Sequence, residues 1–174
     1  GCGGSARAVV AGLQQLPLAA IHVAGRRPDA LETFLKDLKA DQGNESVQLI
    51  ATALEPEPIS RVLKTSKLVV NSTPVGMQGH GNERAMPLDR DLWEPLDSST
   101  TLYDLIYTPR PTPWLALGRQ RGCRTIDGLE MLVQQGAASL RRWSGRTEVP
   151  VELMREAALR RLNSKQAQPE ETKD

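Results

Sequence analysis

The amino-acid sequence predicts an α/β fold with a doubly wound parallel sheet, and three observations support this. Short apolar runs typical of buried parallel strands alternate with segments of helical spacing along most of the chain. Such alternation produces a parallel sheet with helices on both faces. The chain opens on a glycine-rich turn, residues 1–6, of the kind that joins a strand to a helix in this fold class. Its 174 residues are enough for one domain with a proper core.

Five short runs are predicted to be the strands, and they are 19–24, 47–51, 67–71, 101–107 and 123–126. In the usual strand order 3-2-1-4-5-6, the strand before the glycine turn lies in the middle of the sheet. The chain begins on that turn, so this first strand is absent from the chain. We therefore expect a fragment, in which upstream residues have been lost or the two flanking strands close the gap.

Six segments are predicted to be helical, and they are 6–16, 28–40, 58–64, 112–121, 128–143 and 150–162. The second carries Leu31, Phe34, Leu35 and Leu38 on one face, and the first ends before Pro17. Residues 78–97 are predicted to be a loop with one helical turn before Trp93. We predict one domain over 1–162 and a disordered polar tail over 163–174.

Composition excludes several classes of protein. The net charge of +1 argues against a broad nucleic-acid surface. Two cysteines, Cys2 and Cys123, provide neither a disulfide framework nor a four-thiolate metal site, which suits a reducing compartment. No apolar run approaches the ~20 residues that span a bilayer, and no signal peptide precedes the glycines. We predict a soluble cytoplasmic protein without a metal, a nucleic-acid partner or a membrane partner, and we leave a homodimer open.

The opening turn fits the G-x-G-x-x-A pattern of a Rossmann-type dinucleotide-binding unit, although a glycine-rich leader is the alternative interpretation. Gly1 allows the sharp turn, and Gly3 allows the backbone to approach a pyrophosphate. The small Ala6 allows close packing of helix and strand. The N-terminus of the helix then offers free N–H groups and partial positive charge to the phosphates.

The residues after the strand at 19–24 indicate which dinucleotide is bound. NAD-binding proteins usually place Asp or Glu there, to accept hydrogen bonds from the ribose 2′-hydroxyl. This chain has Gly25, Arg26 and Arg27 instead. Guanidinium groups bind a 2′-phosphate through bidentate contacts, whereas a carboxylate repels it. We therefore predict NADP as the cofactor, against the alternative that these are two solvated arginines on a loop.

Four blocks further along the chain carry a family likeness. They are 71–77 (Asn-Ser-Thr-Pro-Val-Gly-Met), 103–109 (Tyr-Asp-Leu-Ile-Tyr-Thr-Pro) with Thr112 and Gly122 after it, 127–135 (Asp-Gly-Leu-Glu-Met-Leu-Val-Gln-Gln) and 143–145 (Trp-Ser-Gly). In this order they resemble the C-terminal NADP-binding domain of the shikimate dehydrogenase family. The resemblance covers nearly all of residues 1–145. It implies an oxidoreductase for the NADP-dependent, reversible reduction of 3-dehydroshikimate to shikimate, in chorismate and aromatic amino-acid biosynthesis.

The resemblance also implies roles for individual residues. The implied pyrophosphate ligands are Gly1, Cys2, Gly3, Gly4 and Ser5. Gly25, Arg26 and Arg27 stand where the family has Asn-Arg-Thr for the adenosine 2′-phosphate, and only Arg26 matches that motif. The implied lining of the nicotinamide end is Thr73, Leu105, Gly128 and Met131, and the implied substrate ligands are Tyr107 and Gln135.

Strand geometry supports these roles independently, because ligands bind beyond the carboxyl ends of strands in open parallel sheets. Thr73 follows one predicted strand end, and Tyr107 closes another. Gln135 can donate to and accept from a ring hydroxyl. The alternatives are a solvated helix position for Gln135, an amphipathic cap over the core for Tyr107, and core filling for Met131.

Hydride transfer to a ketone also needs a proton donor. In the family this is a Lys paired with an Asp in the N-terminal substrate domain, and neither motif is found here, so we assign no catalytic residue to this chain. Two histidines are set aside: His22 as a core residue with a satisfied hydrogen bond, and His80 as part of a mobile surface loop. Lys36, Lys39, Lys64 and Lys67 are expected to be solvated. The open alternatives are a quinate-type substrate and a non-catalytic NADP-binding module.

Overall fold

The computed structural model describes residues 1–40 and 47–166. In chain order the elements are α1 (Gly4–Leu13), β1 (Ala20–Gly25), α2 (Pro28–Ala40), β2 (Gln48–Ala53), α3 (Pro56–Leu63), β3 (Leu68–Asn71), a 3-10 turn (Arg90–Leu92), β4 (Thr101–Asp104), α4 (Pro113–Gln120), β5 (Arg124–Ile126), α5 (Leu129–Ser144) and α6 (Val151–Gln166). The predicted strands and helices are confirmed, with ends shifted by a few residues. α6 continues past the predicted domain end to Gln166, and the rest of the predicted tail, 167–174, lies outside the described residues.

All strand pairs are parallel, as predicted, but the ladder is interrupted. β1 pairs with β2, and β3, β4 and β5 pair in that order. Within the described residues no ladder joins β1 to β3, so the flanking strands do not close the central position of the sheet. Gly1 lies between their carboxyl ends, because its ammonium nitrogen is 2.7 Å from the Ala24 carbonyl oxygen and its backbone approaches Thr73.

Helices cover both faces, which confirms the doubly wound arrangement. Ile21 and Val23 of β1 are buried in a cluster with residues of α1 and α2. Successive strand residues point to opposite faces, and Ala24 accordingly packs against a second cluster that includes Ile59 of α3 and Trp114 of α4. In that cluster the rings of Trp93 and Trp114 meet edge to face, with centroids 6.5 Å apart.

His22 is the one residue whose predicted burial is wrong. The side chain is exposed, although the expected hydrogen bond is present, with Nδ1 3.0 Å from Thr52 Oγ1. β1 alternates between its two faces, so Ile21 and Val23 enter the core while His22 lies on the opposite face, where it stays exposed. His80 is exposed, as expected of a surface residue. The four lysines predicted to be solvated, Lys36, Lys39, Lys64 and Lys67, are exposed too.

A third small core joins α5 to α6 and is built from Leu129, Val133 and Leu162. A bidentate ion pair reinforces it: Arg155 Nε and Nη2 donate to the Glu130 carboxylate at 2.8 and 2.7 Å. Arg155 also donates to Glu152 on its own helix. In the part of the chain that the structure describes, no helix has the length and apolar character of a membrane span.

This ion pair makes the docking of α6 sensitive to acid. Hydrogen bonds from Arg155 lower the pKa of Glu130 from 4.5 to about 2. A lowered carboxyl pKa contributes stability above the unfolded value, and that stability is lost as the pH falls from about 4.5 towards 2. At pH 6 we expect the α6 amides to be better protected in the wild-type chain than in Glu130→Gln. Near pH 2 we expect the protection to be equal in the two proteins. Hydrogen exchange measures the difference, with Glu156→Gln as a control, because the ion pair of Glu156 with Arg160 is exposed and spans 4.0 Å. A difference that persists unchanged at pH 2 contradicts the prediction.

Candidate functional site

The predicted pyrophosphate turn lies at the carboxyl ends of β1 and β3. A Cβ atom added at Gly1 would lie 3.0 Å from Thr73 Cγ2, so Gly1 is a position of close approach. Around Gly3 and Gly4, by contrast, an added Cβ would meet nothing within 4 Å. One side of the turn is therefore packed against the strand ends, and the other is open to a ligand.

The N-terminus of α1 is left without a side-chain cap. Its N-cap residue, Gly3, has no side chain to accept a hydrogen bond, and its first turn carries no acidic residue. α4 differs, because its N-cap Thr112 accepts a hydrogen bond from Leu115 N. The first-turn N–H groups of α1 and the positive end of its dipole are thus available to an anion. Phosphate oxygens have the charge and acceptor chemistry that such a turn binds.

Arg26 and Arg27 follow the carboxyl end of β1, on the same edge of the sheet as the glycine turn. Both are exposed, and neither has an ion pair among residues 1–40 and 47–166. Gly25 precedes them for a packing reason, since a Cβ there would lie 3.1 Å from the Leu31 side chain of α2. Close contact with α2 thus fixes the strand end that carries the two guanidinium groups.

Three of the four residues predicted at the nicotinamide end belong to segments that are directly hydrogen-bonded. Leu105 N donates to the Asn71 carbonyl, 3.1 Å away, at the end of the strand that leads to Thr73. Gly128 N donates to the Ile106 carbonyl at 3.0 Å, just before α5. A Cβ at Gly128 would lie 2.0 Å from Leu105 O, so the backbones approach at a distance that excludes any side chain. Thr73, Leu105 and Gly128 thus lie on three adjoining segments.

The remaining predicted residues lie on or against α5. Tyr107 is half-buried and packs against the cluster that contains Leu129 and Val133. Met131 is half-buried, and Gln135 is exposed with its Nε2 donating to Leu132 O in the same helix. Substrate contact by Tyr107 and Gln135 therefore stays a prediction, as do the ligand roles of the other site residues.

A buried polar network connects the strand ends, and sequence reasoning missed it. The Asp104 carboxylate is fully buried and accepts hydrogen bonds from Asn71 Nδ2, Ile106 N and Thr112 Oγ1. Burial raises the pKa of this carboxyl, while the three donors and nearby Asp127 act on it to a smaller degree. The available signal was a pair of polar residues, Asn71 and Asp104, that end two apolar strands.

A second polar contact fixes the start of α5. Asp127 Oδ1 accepts from Leu129 N at 3.1 Å, as a capping carboxylate does. Its Oδ2 accepts from Arg110 Nε at 2.7 Å, and both side chains are largely buried. The segment that carries Tyr107 is therefore tied to the first turn of α5.

Comparison with known proteins gives three similarities that cover most of the chain and one family match. The shikimate 5′-dehydrogenase C-terminal domain family matches residues 128–159, in α5 and α6. A shikimate dehydrogenase (NADP(+)) from Synechocystis sp. is 46% identical over 162 residues, which are 93% of this chain and 53% of that protein. The quinate dehydrogenase of Corynebacterium glutamicum, solved with NAD, has a TM-score of 0.75 at 28% identity, over 92% of this chain and 53% of that one. The shikimate 5-dehydrogenase of Thermus thermophilus, solved with NADP(H) and shikimate, has a TM-score of 0.70 at 28% identity, over 92% of this chain and 52% of that one.

Parallel strands covered on both faces, with a glycine turn and an uncapped helix at their carboxyl edge, define a Rossmann-type domain. Sequence identity then specifies the family. The chain belongs to the shikimate dehydrogenase family and corresponds to its C-terminal half. It spans about half the length of the curated relatives it matches.

Proposed function

We propose that this chain is the NADP-binding half of a shikimate dehydrogenase, which reduces 3-dehydroshikimate reversibly to shikimate. The observation that carries the proposal is the glycine turn beside an exposed arginine pair at one edge of the sheet, in a chain 46% identical to a relative named as NADP(+)-dependent. The pyrophosphate then lies over residues 1–5 and the start of α1, whose first turn offers N–H groups and no carboxylate.

The fit to NADP rests on the sign of the charge at the end of β1. Gly25, Arg26 and Arg27 place two guanidinium groups where an NAD-binding protein usually has a carboxylate. A 2′-phosphate carries the opposite charge and accepts bidentate hydrogen bonds from arginine. This chemistry supports NADP over NAD.

At the other end of the cofactor, Thr73, Leu105, Gly128 and Met131 line the nicotinamide. NADPH, when bound, supplies the hydride that reduces a carbonyl carbon. The close backbone contact at Gly128 sets the width of this end, because any side chain there would strike Leu105 O. Tyr107 and Gln135 bind hydroxyl groups of the substrate from this half. The proton for the new alkoxide comes from residues outside this chain. We assign no catalytic residue to this chain itself.

The two alternatives from sequence are less well supported. A quinate dehydrogenase is similar at 28% identity, whereas relatives named shikimate dehydrogenase reach 46%. The same relatives support an enzyme over a non-catalytic module. We place the protein in the cytoplasm, in keeping with its two free cysteines. A homodimer stays open.

A chimera tests the proposal. The C-terminal half of the Synechocystis relative is replaced by this chain, which aligns with 53% of that protein. We expect NADP-dependent oxidation of shikimate by the chimera, at least about tenfold faster than with NAD, a difference of ~1.4 kcal/mol in transition-state stabilisation. The chain alone shows no turnover and binds NADP more tightly than NAD in calorimetry. A folded chimera that binds NADP without oxidising shikimate contradicts the assignment of substrate. Equal affinity of the chain for NADP and NAD contradicts the assignment of cofactor.

A further inference from the structure

We propose that Asp104 is a positioning residue, which holds the Thr73 loop and the Leu105 segment in the arrangement that receives the nicotinamide ring. The inference rests on the proposed function, because it concerns the nicotinamide end of the same cofactor site. Asp104 is fully buried, and we assign it no contact with a ligand. It acts through Asn71 and through the backbone of Ile106.

The Asp104 carboxylate is the centre of a closed set of hydrogen bonds. Its side chain is fully buried at the end of β4. Oδ1 accepts from Asn71 Nδ2 and from Ile106 N, each at 3.1 Å. Oδ2 accepts from Thr112 Oγ1 at 2.8 Å. One carboxylate therefore joins the end of β3, the segment after β4 and the start of α4.

One branch of this set ends at Thr73. Asn71 Oδ1 accepts from both Thr73 N, at 3.0 Å, and Thr73 Oγ1, at 2.7 Å. Asn71 Nδ2 also donates to Val75 O at 3.3 Å, and Val75 N donates to Thr73 Oγ1 at 3.3 Å. The bond to Asp104 fixes which end of the Asn71 amide faces Thr73, since the Nδ2 group must point to the carboxylate. The orientation of the Thr73 hydroxyl follows from it.

The second branch runs through the backbone to Gly128. Ile106 N is held by Asp104, and the Ile106 carbonyl accepts from Gly128 N at 3.0 Å. Leu105 lies between these bonds and the one from its own N–H to the Asn71 carbonyl. Its carbonyl oxygen thereby lies where it excludes a side chain at position 128. Both sides of the predicted nicotinamide end, Thr73 on one and Leu105 with Gly128 on the other, depend on the same carboxylate.

The third bond, to Thr112, leads to the start of α4 and not to the nicotinamide end. Thr112 caps α4 and accepts from Leu115 N at 3.4 Å, away from Thr73 and Leu105. Loss of this bond alone therefore lowers stability without changing the position of the Thr73 loop or of the Leu105 segment. Substitution at position 112 thus separates a structural role of the network from a positioning role.

The experiment uses two ligands with the full 174-residue chain. Adenosine 2′,5′-bisphosphate reports the adenine end, and NADPH reports both ends through the fluorescence of its dihydronicotinamide. In Asp104→Ala we expect the affinity for adenosine 2′,5′-bisphosphate to stay within about twofold, while that for NADPH falls about tenfold, as expected for the loss of one or two hydrogen bonds. The change in NADPH fluorescence on binding is lost as well.

Two further variants define the cause. Asp104→Asn keeps an acceptor for Asn71 and Ile106 and offers its amide to Thr112, so we expect wild-type fluorescence. Thr112→Val lowers the unfolding midpoint and keeps the fluorescence change. If Asp104→Ala does not fold, Asn71→Ser takes its place, because it removes the amide group that links Asp104 to Thr73. We expect the same loss of NADPH affinity and of the fluorescence change.

The outcomes separate the two proposals. A wild-type chain that binds neither ligand overturns the proposed function. If the wild-type chain binds both ligands, an Asp104→Ala chain, or Asn71→Ser in its place, that loses both affinities in parallel or loses neither overturns only the role of Asp104. So does a wild-type chain that binds NADPH without any change in fluorescence, because its nicotinamide is then not held.

Discussion

Replacement of both Arg26 and Arg27 by alanine is expected to lower the affinity of the chain for NADP about 100-fold, because charge-assisted contacts are worth roughly 1.5–3 kcal/mol each and exposed ones lie at the low end. Affinity for NAD is expected to stay within about twofold, since NAD has no 2′-phosphate for these groups to bind. Isothermal titration calorimetry with the two cofactors measures both values. The preference for NADP then disappears.

The structural reason is the location of the pair and its lack of other partners. Arg26 and Arg27 lie at the carboxyl edge of the sheet, are exposed, and have no ion pair within the described residues, so no internal salt bridge competes for them. Their contact with a phosphate is partly screened by salt. The NADP preference is therefore expected to shrink between low and physiological ionic strength, whereas NAD binding changes less.

Arg124 provides the matched control. It is an exposed arginine at the amino end of β5, on the edge opposite the glycine turn. Arg124→Ala removes one positive charge, as each of the single variants Arg26→Ala and Arg27→Ala does, and is expected to leave both affinities unchanged. Of the single variants, Arg26→Ala is expected to have the larger effect, because only this arginine matches the family motif. An undiminished NADP preference in the double variant, or an equal loss in Arg124→Ala, contradicts the assignment of the 2′-phosphate site.

Local patterns in the sequence were sufficient for the elements and their order. Apolar runs bounded by polar or glycine residues predicted each strand, and the parallel pairing followed from the alternation with helices. The errors are local as well. The run 101–107 was predicted to be one strand, but β4 ends at Asp104, whose carboxylate binds Ile106 N and turns the chain out of the ladder. A run of apolar letters does not reveal such a turn.

The candidate site was predicted in outline, and its internal support was not. The glycine turn, Arg26 and Thr73 follow from motifs a few residues long. Asn71 and Asp104 are 33 residues apart in sequence, and Arg110 and Asp127 are 17 apart. Contacts of that range depend on the register of β3 against β4 and on the entry of α5, which no local spacing encodes. Gly128 is a similar case, because only the folded backbone shows that Leu105 O excludes a side chain there.

Addition of an apolar strand of about five residues ahead of Gly1 is expected to raise the free energy of unfolding by about 3 kcal/mol. This is the difference between burying its side chains, at roughly 1.5–3 kcal/mol each, and ordering its backbone, at roughly 1–2 kcal/mol per residue. For a domain of this size the melting temperature then rises by roughly 10 °C. Thermal and urea unfolding, followed by circular dichroism, measure the change.

The physical basis is two strand edges that no ladder joins among the described residues. β1 is paired only with β2, and β3 only with β4, so among the described residues their other edges carry no ladder. Gly1 already lies at the carboxyl ends of both strands, where its ammonium donates to Ala24 O. A peptide bond to an added residue keeps an N–H donor at that point.

A variant of the added strand with proline at its centre is the control. It has nearly the same length and hydrophobicity, but proline has no N–H for the ladder and is found in sheets only at edges or bulges. If the added strand occupies the central position, it must pair on both sides, and the proline variant loses most of the gain. Equal stabilisation by both segments would instead indicate non-specific apolar contact, for example with the exposed Leu68 of β3. No gain from either segment would mean that β1 and β3 do not accept a strand between them. The glycine turn would then lack the central strand that the fold requires ahead of it.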